Sequence, residues 1–150
     1  MTTDVTKDWT LEQFLARAYD KLRFADTDRQ GHVNNAVFST LIETGRVELI
    51  YNPQAPLVSP GKSFVIANLS LQLRTEIHWP GTVDIGTAVA RIGNSSMQLY
   101  QGLFQNGICC ATAETVIVCV DDSTQKSTPL PDSARRALAQ YQAAESSHSG

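Results

Sequence analysis

Residues 23–46 read RFADTDRQGHVNNAVFSTLIETGR. A polar turn carrying Asp26, Asp28 and Gly31 runs directly into an amphipathic segment. Phe38, Leu41, Ile42, Gly45 and Leu49 fall at helical spacing and form one apolar stripe, which predicts a long helix over residues 34–51. Asn34 or Asn35 can cap its start, and Asn52-Pro53 ends it. Gly45 inside the stripe costs about 1 kcal/mol against alanine, so a close neighbour is expected against the backbone there. Gly31 permits a positive φ in the turn. The first amides of a helix have no internal acceptor and carry the positive end of its dipole, so the turn sets a carboxylate, Asp28, one short loop from unpaired N–H donors.

Outward from this stretch, the pattern switches to strands. Val65, Ala67, Leu69, Leu71 and Leu73 alternate with mostly polar residues, and further strands are predicted over residues 82–91, 96–104 and 108–120. The turns between them are His78-Trp79-Pro80-Gly81, Gly93-Asn94 and Asn106-Gly107, the last being the strongest short hairpin signal in the chain. These strands are about twice the usual length of 5–6 residues. Long strands joined by tight hairpins form a twisted antiparallel sheet that must curl, and the single long helix is the body for it to curl around. The last strand is apolar at both parities, so one helix cannot cover it and a partner subunit is expected over the rest.

Ahead of the turn, Thr10-Leu11-Glu12-Gln13 has the form of a capping box, with Leu11, Phe14, Leu15 and Ala18 at helical spacing, and predicts a short lead-in helix. A brief strand is read over residues 19–24. After Pro129-Leu130-Pro131, Asp132 is expected to cap a final helix carrying Ala134, Ala137, Leu138 and Tyr141. Residues 143–150 are small and polar, a tail expected to fray.

Composition narrows the classes. The 150 residues suit one domain, and 42% hydrophobic with 18% charged residues is ordinary for a globular protein. Twelve Lys plus Arg against 15 Asp plus Glu, with no basic run, argue against nucleic acid as a partner. Neither a signal peptide nor a membrane-spanning stretch is read, so a cytoplasmic protein is expected. Cys109, Cys110 and Cys119 show no zinc-ligand spacing and are read as reduced buried thiols. No metal and no cofactor are expected.

A carboxylate beside free amide donors suits thioester hydrolysis: the thiolate leaves readily, so the tasks are activating water and stabilising the tetrahedral oxyanion. The run D-x-D-x-x-G-H-V-N-N at the mouth of an amphipathic helix, with Glu43 and Arg46 inside it, resembles the signature of hot-dog-fold thioesterases. The resemblance is to the 4-hydroxybenzoyl-CoA thioesterase-like family and its bacterial acyl-CoA thioesterases, and covers roughly residues 19–121. It implies an α+β hot-dog domain spanning residues 1–150, a long helix wrapped by a curved five-stranded antiparallel sheet, associated as a homodimer or homotetramer.

It further implies that Asp28 is catalytic, as nucleophile or as general base, and that Asn35 supplies a backbone N–H to the thioester carbonyl. The substrate it implies is an acyl-CoA or acyl-carrier-protein thioester, contacted by Gly31, His32, Asn34 and Arg91. Relatives often carry Arg or Lys near the Gly93-Asn94 hairpin to hold coenzyme A phosphates; here the nearest base is Arg91, which reads more as a solvated strand charge than as a phosphate clamp. Asp26 is read as holding the turn, His32 as loop scaffold or as a catalytic imidazole, and His78 as a surface residue. Two other classes remain: a hydratase or dehydratase using His32, and a non-catalytic module that binds acyl thioesters.

Overall fold

Helix α1 spans Asn35–Ile50, within one residue of the predicted span at each end. The structure, a computed structural model, describes residues 9–142; the expected frayed tail and His148 lie outside the described residues. The Asn34 side chain accepts the Ala36 amide, which makes Asn34 the cap and Asn35 the first helical residue. Phe38, Leu41, Ile42 and Gly45 are buried along the stripe and Leu49 is half-buried. The tight approach at Gly45 is present: a Cβ there would stand 2.5 Å from Ile85 Cγ2.

The sheet consists of β1 (Ala16–Lys21), β2 (Lys62–Leu73), β3 (Thr82–Ile92), β4 (Ser96–Gln105) and β5 (Ile108–Asp121). Their order across the sheet is β1-β3-β4-β5-β2, and every neighbouring pair is antiparallel. This is the hot-dog arrangement expected from the sequence. Asn106 and Gly107 both take positive φ (53° and 81°), as a tight primed turn between β4 and β5 requires. Register shifts interrupt β2 between Ile66 and Asn68 and β3 between Val89 and Arg91, the kind of irregularity that increases local twist and bends a sheet.

The shift in β2 also changes which residues share a face. Ile66 pairs with Ile117 and Leu69 with Thr115, so Ile66, Leu69, Leu71 and Leu73 share the helix-facing surface, while Val65 points the other way. Strict alternation from Val65 had placed Val65 with the leucines.

Helix α1 lies over β1, β3 and β4. Gln101 of β4 faces it and donates through Nε2 to Ile42 O and Thr87 Oγ1, both at 3.0 Å. Beyond the C-terminal end of α1, Leu130 and helix α2 (Asp132–Ala139) close the core with Ala134 and Leu138 against Val89, Met97 and Leu99. Pro131 occupies the N-cap of α2, so Asp132 is its first residue rather than its cap, where its charge still favours the helix dipole.

The lead-in helix is corrected. Only Leu11–Gln13 form a single 3-10 turn, with Gln13 Oε1 accepting the Thr10 amide at 2.7 Å, and β1 begins already at Ala16. The strand read over residues 19–24 is therefore displaced toward the N-terminus, and Phe24–Asp26 form a second 3-10 turn. Phe14 does not join a helical face. It is fully buried on the outer surface of the sheet, against Gly86 and Gly102, beneath Trp9 and beside Tyr100 and Phe104. The chain's own N-terminal segment thus covers part of the face that the sequence assigned to a partner.

Exposed apolar side chains also lie along β2, an edge strand. Ile66, Leu69 and Leu73 are 50%, 40% and 46% exposed although they point to the concave side. The three cysteines are free. Burial pushes each thiol above its usual pKa, which makes them poor nucleophiles. Among the described residues no helix is long and apolar enough to cross a membrane.

Candidate active site

Two short bridges suspend the turn ahead of α1. Thr27 pairs with Val33 and His32 with His78, while the Val33 amide donates to Ile77 O at 2.8 Å. Asp26 holds the turn from inside. Its side chain, 6% exposed with the backbone included, accepts the Arg23 amide and Arg23 Nη2 at 2.9 Å each, and its own carbonyl accepts the Asn34 amide. Burial works to raise its pKa, but the hydrogen bonds and charge of Arg23 outweigh that and keep the carboxyl below its usual value. The structural role read for Asp26 holds. Gly31 takes φ 84°, as the turn requires, and nothing lies within 4 Å of a Cβ placed there.

Asp28 closes the loop on itself. Its Oδ1 accepts the amides of Gln30 at 2.9 Å and His32 at 3.1 Å, and its amide donates to His32 O at 2.8 Å. Only Oδ1 is used in this way; Oδ2 carries no hydrogen bond from a described residue.

The opening turn of α1 can be accounted for amide by amide. Asn34 donates to Asp26 O, Ala36 to Asn34 Oδ1 and Val37 to Asn34 O. The Asn35 N–H is the one amide in that turn with no acceptor among the described residues. Asn35 lines the same cleft as Asp28, a cavity of about 280 Å³. Val33, Phe38 and Leu73 supply the apolar wall, and Arg74, Thr75 and Glu76, following β2, supply the polar one. A carboxylate with one oxygen unengaged, a helix-start residue whose N–H has no acceptor among the described residues, and an apolar wall therefore border one opening.

Asp28, His32 and Asn35 line the cleft together; Asn34 and Gly31 shape it without lining it. Arg91 stands on β3 and does not line the cleft of its own chain. The guanidinium that does is Arg74, which follows a strand with no motif around it and was not singled out from the sequence. Its charge and a hydrogen bond also act on the Cys109 thiol. Glu43 and Arg46 do not close an ion pair: Glu43 is exposed, whereas Arg46 is buried with Nη1 unpartnered, and desolvation lowers its pKa. His32 and His78, far apart in sequence, meet edge to face with ring centroids 4.9 Å apart.

The sequence model of the Thioesterase-like superfamily matches residues 22–138. The chain belongs to this superfamily. The match begins just ahead of the Asp26–Gly31 turn and runs into α2, so it takes in every residue that lines the cleft. No curated protein matches the chain.

Among solved structures, the PA5185 protein of Pseudomonas aeruginosa PAO1 is similar at 27% identity and a TM-score of 0.80, over 90% of this chain and 96% of that one. A predicted thioesterase from Bacillus stearothermophilus is 28% identical with a TM-score of 0.76, over 84% and 95%. A thioesterase from Thermus thermophilus, complexed with coenzyme A and zinc, is 27% identical with a TM-score of 0.74, over 87% and 96%.

Proposed function

We propose that the protein hydrolyses an acyl-CoA thioester to a carboxylic acid and a free thiol. The observation that carries this reading is the pairing, on one cleft, of the Asp28 carboxylate with the unpaired Asn35 N–H at the positive end of α1. In the reaction the thioester carbonyl oxygen points at the Asn35 N–H. Charge building on that oxygen meets a donor that has no acceptor among the described residues. Asp28 serves either by taking a proton from the attacking water or by attacking the carbonyl itself to give an anhydride that water then opens. In both routes the C–S bond breaks, the thiolate takes up a proton, and water supplies the new oxygen.

Phe38 and Leu73 receive the acyl group next to the carbonyl. Leu73 continues into Leu69 and Ile66 on the uncovered concave side of β2, and this run is the natural path for a longer chain. The same uncovered edge supports a homodimer in which β2 meets its counterpart, with the partner burying Ile66 and Leu69 and completing the cleft. Coenzyme A as the thiol carrier is supported by the Thermus relative seen with it. Within the chain's own cleft, Arg74 rather than Arg91 is the guanidinium placed to meet an anionic part of that carrier.

The test is thiol release across short, long and aromatic acyl-CoAs, with an acyl-carrier-protein thioester alongside, for the wild-type protein and Asp28→Asn. Asparagine keeps an Oδ1 for the Gln30 and His32 amides, so the loop survives while the carboxylate is lost. Turnover is expected to fall about 10²–10⁴-fold. Wild-type rates for Asp28→Asn would remove Asp28 from the chemistry. Conversion of an enoyl thioester without thiol release would place the chain with the hydratases.

A further inference from the structure

We propose that His32, Glu76 and His78 form a binding site for a divalent cation of the zinc class at the rim of the cleft. The proposal does not depend on the hydrolase reading. His32 Nδ1 lies 3.4 Å from Glu76 Oε2, and His78 Nε2 lies 3.4 Å from Glu76 Oε1. These separations are long for hydrogen bonds, whose N···O distances cluster near 2.9 Å. A nitrogen and a single carboxylate oxygen each about 2.0–2.1 Å from a zinc ion stand about 3.3–3.4 Å apart. The His32–Glu76 separation therefore matches one edge of a coordination tetrahedron, while His78 approaches the other oxygen of the same carboxylate. Each of the three residues offers a ligand atom within 4.8 Å of the others, and His78 and Glu76 are exposed.

The donors are of the right kind. Two imidazoles and one carboxylate form a three-ligand set for zinc that leaves a fourth position for water or another donor. His32 and Glu76 line the cleft, and His32 is 29% exposed against 58% and 59% for His78 and Glu76. The cluster therefore borders both the cleft and solvent.

The backbone beneath these groups is fixed independently of any ion. His32 and His78 sit opposite each other in an antiparallel bridge. Gln105 clamps His78 from both sides, Oε1 accepting its amide at 3.0 Å and Nε2 donating to its carbonyl at 2.8 Å. The turn that follows is tied by the Leu22 amide to Gly81 O at 2.9 Å and by Trp79 against Phe24. Fixing the ligand backbones in advance lowers the ordering cost of binding. The sequence expectation of no metal saw only isolated histidines, because these three residues are distant in the chain.

The experiment strips the full chain with a chelator and titrates it with Zn²⁺ alone, in competition with a chromophoric chelator, with no substrate present. One equivalent per chain is expected. His78→Ala is expected to weaken binding by about 100-fold and Glu76→Gln by at least about 10-fold, as loss of a direct ligand should exceed the loss seen for outer-shell partners. Cys109→Ser, which removes the one half-exposed thiol, should bind as wild type. In Co²⁺-loaded protein the visible bands of a tetrahedral nitrogen and oxygen site should appear in wild type and vanish in His78→Ala. Unchanged zinc affinity in His78→Ala, or zinc lost only in Cys109→Ser, overturns the proposal. Because binding is read without turnover, its failure leaves the hydrolase reading standing, and failure of hydrolysis leaves the cation site standing.

Discussion

Asn35→Pro separates the backbone amide of the candidate oxyanion donor from everything else at the site. Asn35 is the first residue of α1, where proline is favoured because its fixed φ suits the helix and the missing N–H has no helical acceptor to lose. A proline also restricts the residue before it to extended or polyproline geometry, and Asn34 already has φ −59° and ψ 139°. The cap from Asn34 to the Ala36 amide is untouched. Folding stability should therefore change by less than about 1 kcal/mol, in either direction.

Catalysis should respond quite differently. Loss of one oxyanion donor costs about 10²–10³ in kcat, equivalent to about 2.7–4 kcal/mol of transition-state stabilisation. The assay is thiol release at saturating acyl-CoA, with the melting temperature measured on the same samples and Asn35→Ala as the control that keeps the N–H. Asn35→Ala should stay within about fivefold of wild type, a loss small beside that expected from deleting a backbone donor. Wild-type kcat in a natively melting Asn35→Pro protein would refute the reasoning. Equal losses in the two variants would move the role from the backbone to the side chain.

Three further outcomes are expected. Gly45→Ala gains about 1 kcal/mol of helix propensity but drives a methyl to 2.5 Å from Ile85 Cγ2 and 3.0 Å from Gln101 Nε2, an overpacking cost of about 1–3 kcal/mol, so calorimetry should show a lower melting temperature; a higher one would refute the close packing. Asp26→Ala should cost about 1–3 kcal/mol in urea unfolding at neutral pH. Because the folded pKa of Asp26 is held below its unfolded value, this contribution is present above the unfolded pKa and is lost as pH falls through the folded one. A deficit that does not shrink on acidification below about pH 4 would contradict the charged-state account. Leu69→Glu, on the exposed concave side of β2, should halve the mass seen by light scattering; an unchanged mass would exclude β2 as the dimer edge.

Local interactions made much of this protein legible in its sequence. The α1 stripe, its Asn34 cap and the Asn106-Gly107 turn depend on residues within a few positions of one another, so pattern and turn chemistry sufficed. The loop that returns the Gln30 and His32 amides to Asp28 is equally local, but only its turn character and Gly31 were read from the sequence. The resemblance of the motif to hot-dog thioesterases, rather than local pattern alone, brought Asp28 and Asn35 forward as a pair, and both line one cleft.

Where distant segments decide, the sequence was silent or misleading. Phe14 is helically spaced with its neighbours, yet two glycines on β3 and β4 open a seat for its ring on the outer sheet face, and burial there outweighs the local preference. The bulge in β2 moved Ile66 onto the concave side, since a one-residue shift exchanges the two faces of a strand. Arg74 entered the cleft, and Glu76 and His78 came to His32, only because the segment after β2 returns beside the turn ahead of α1. The residues and their chemistry were written in the chain; which of them stand within reach of one another was decided by strand pairing across long loops, an energy that no short window of sequence contains.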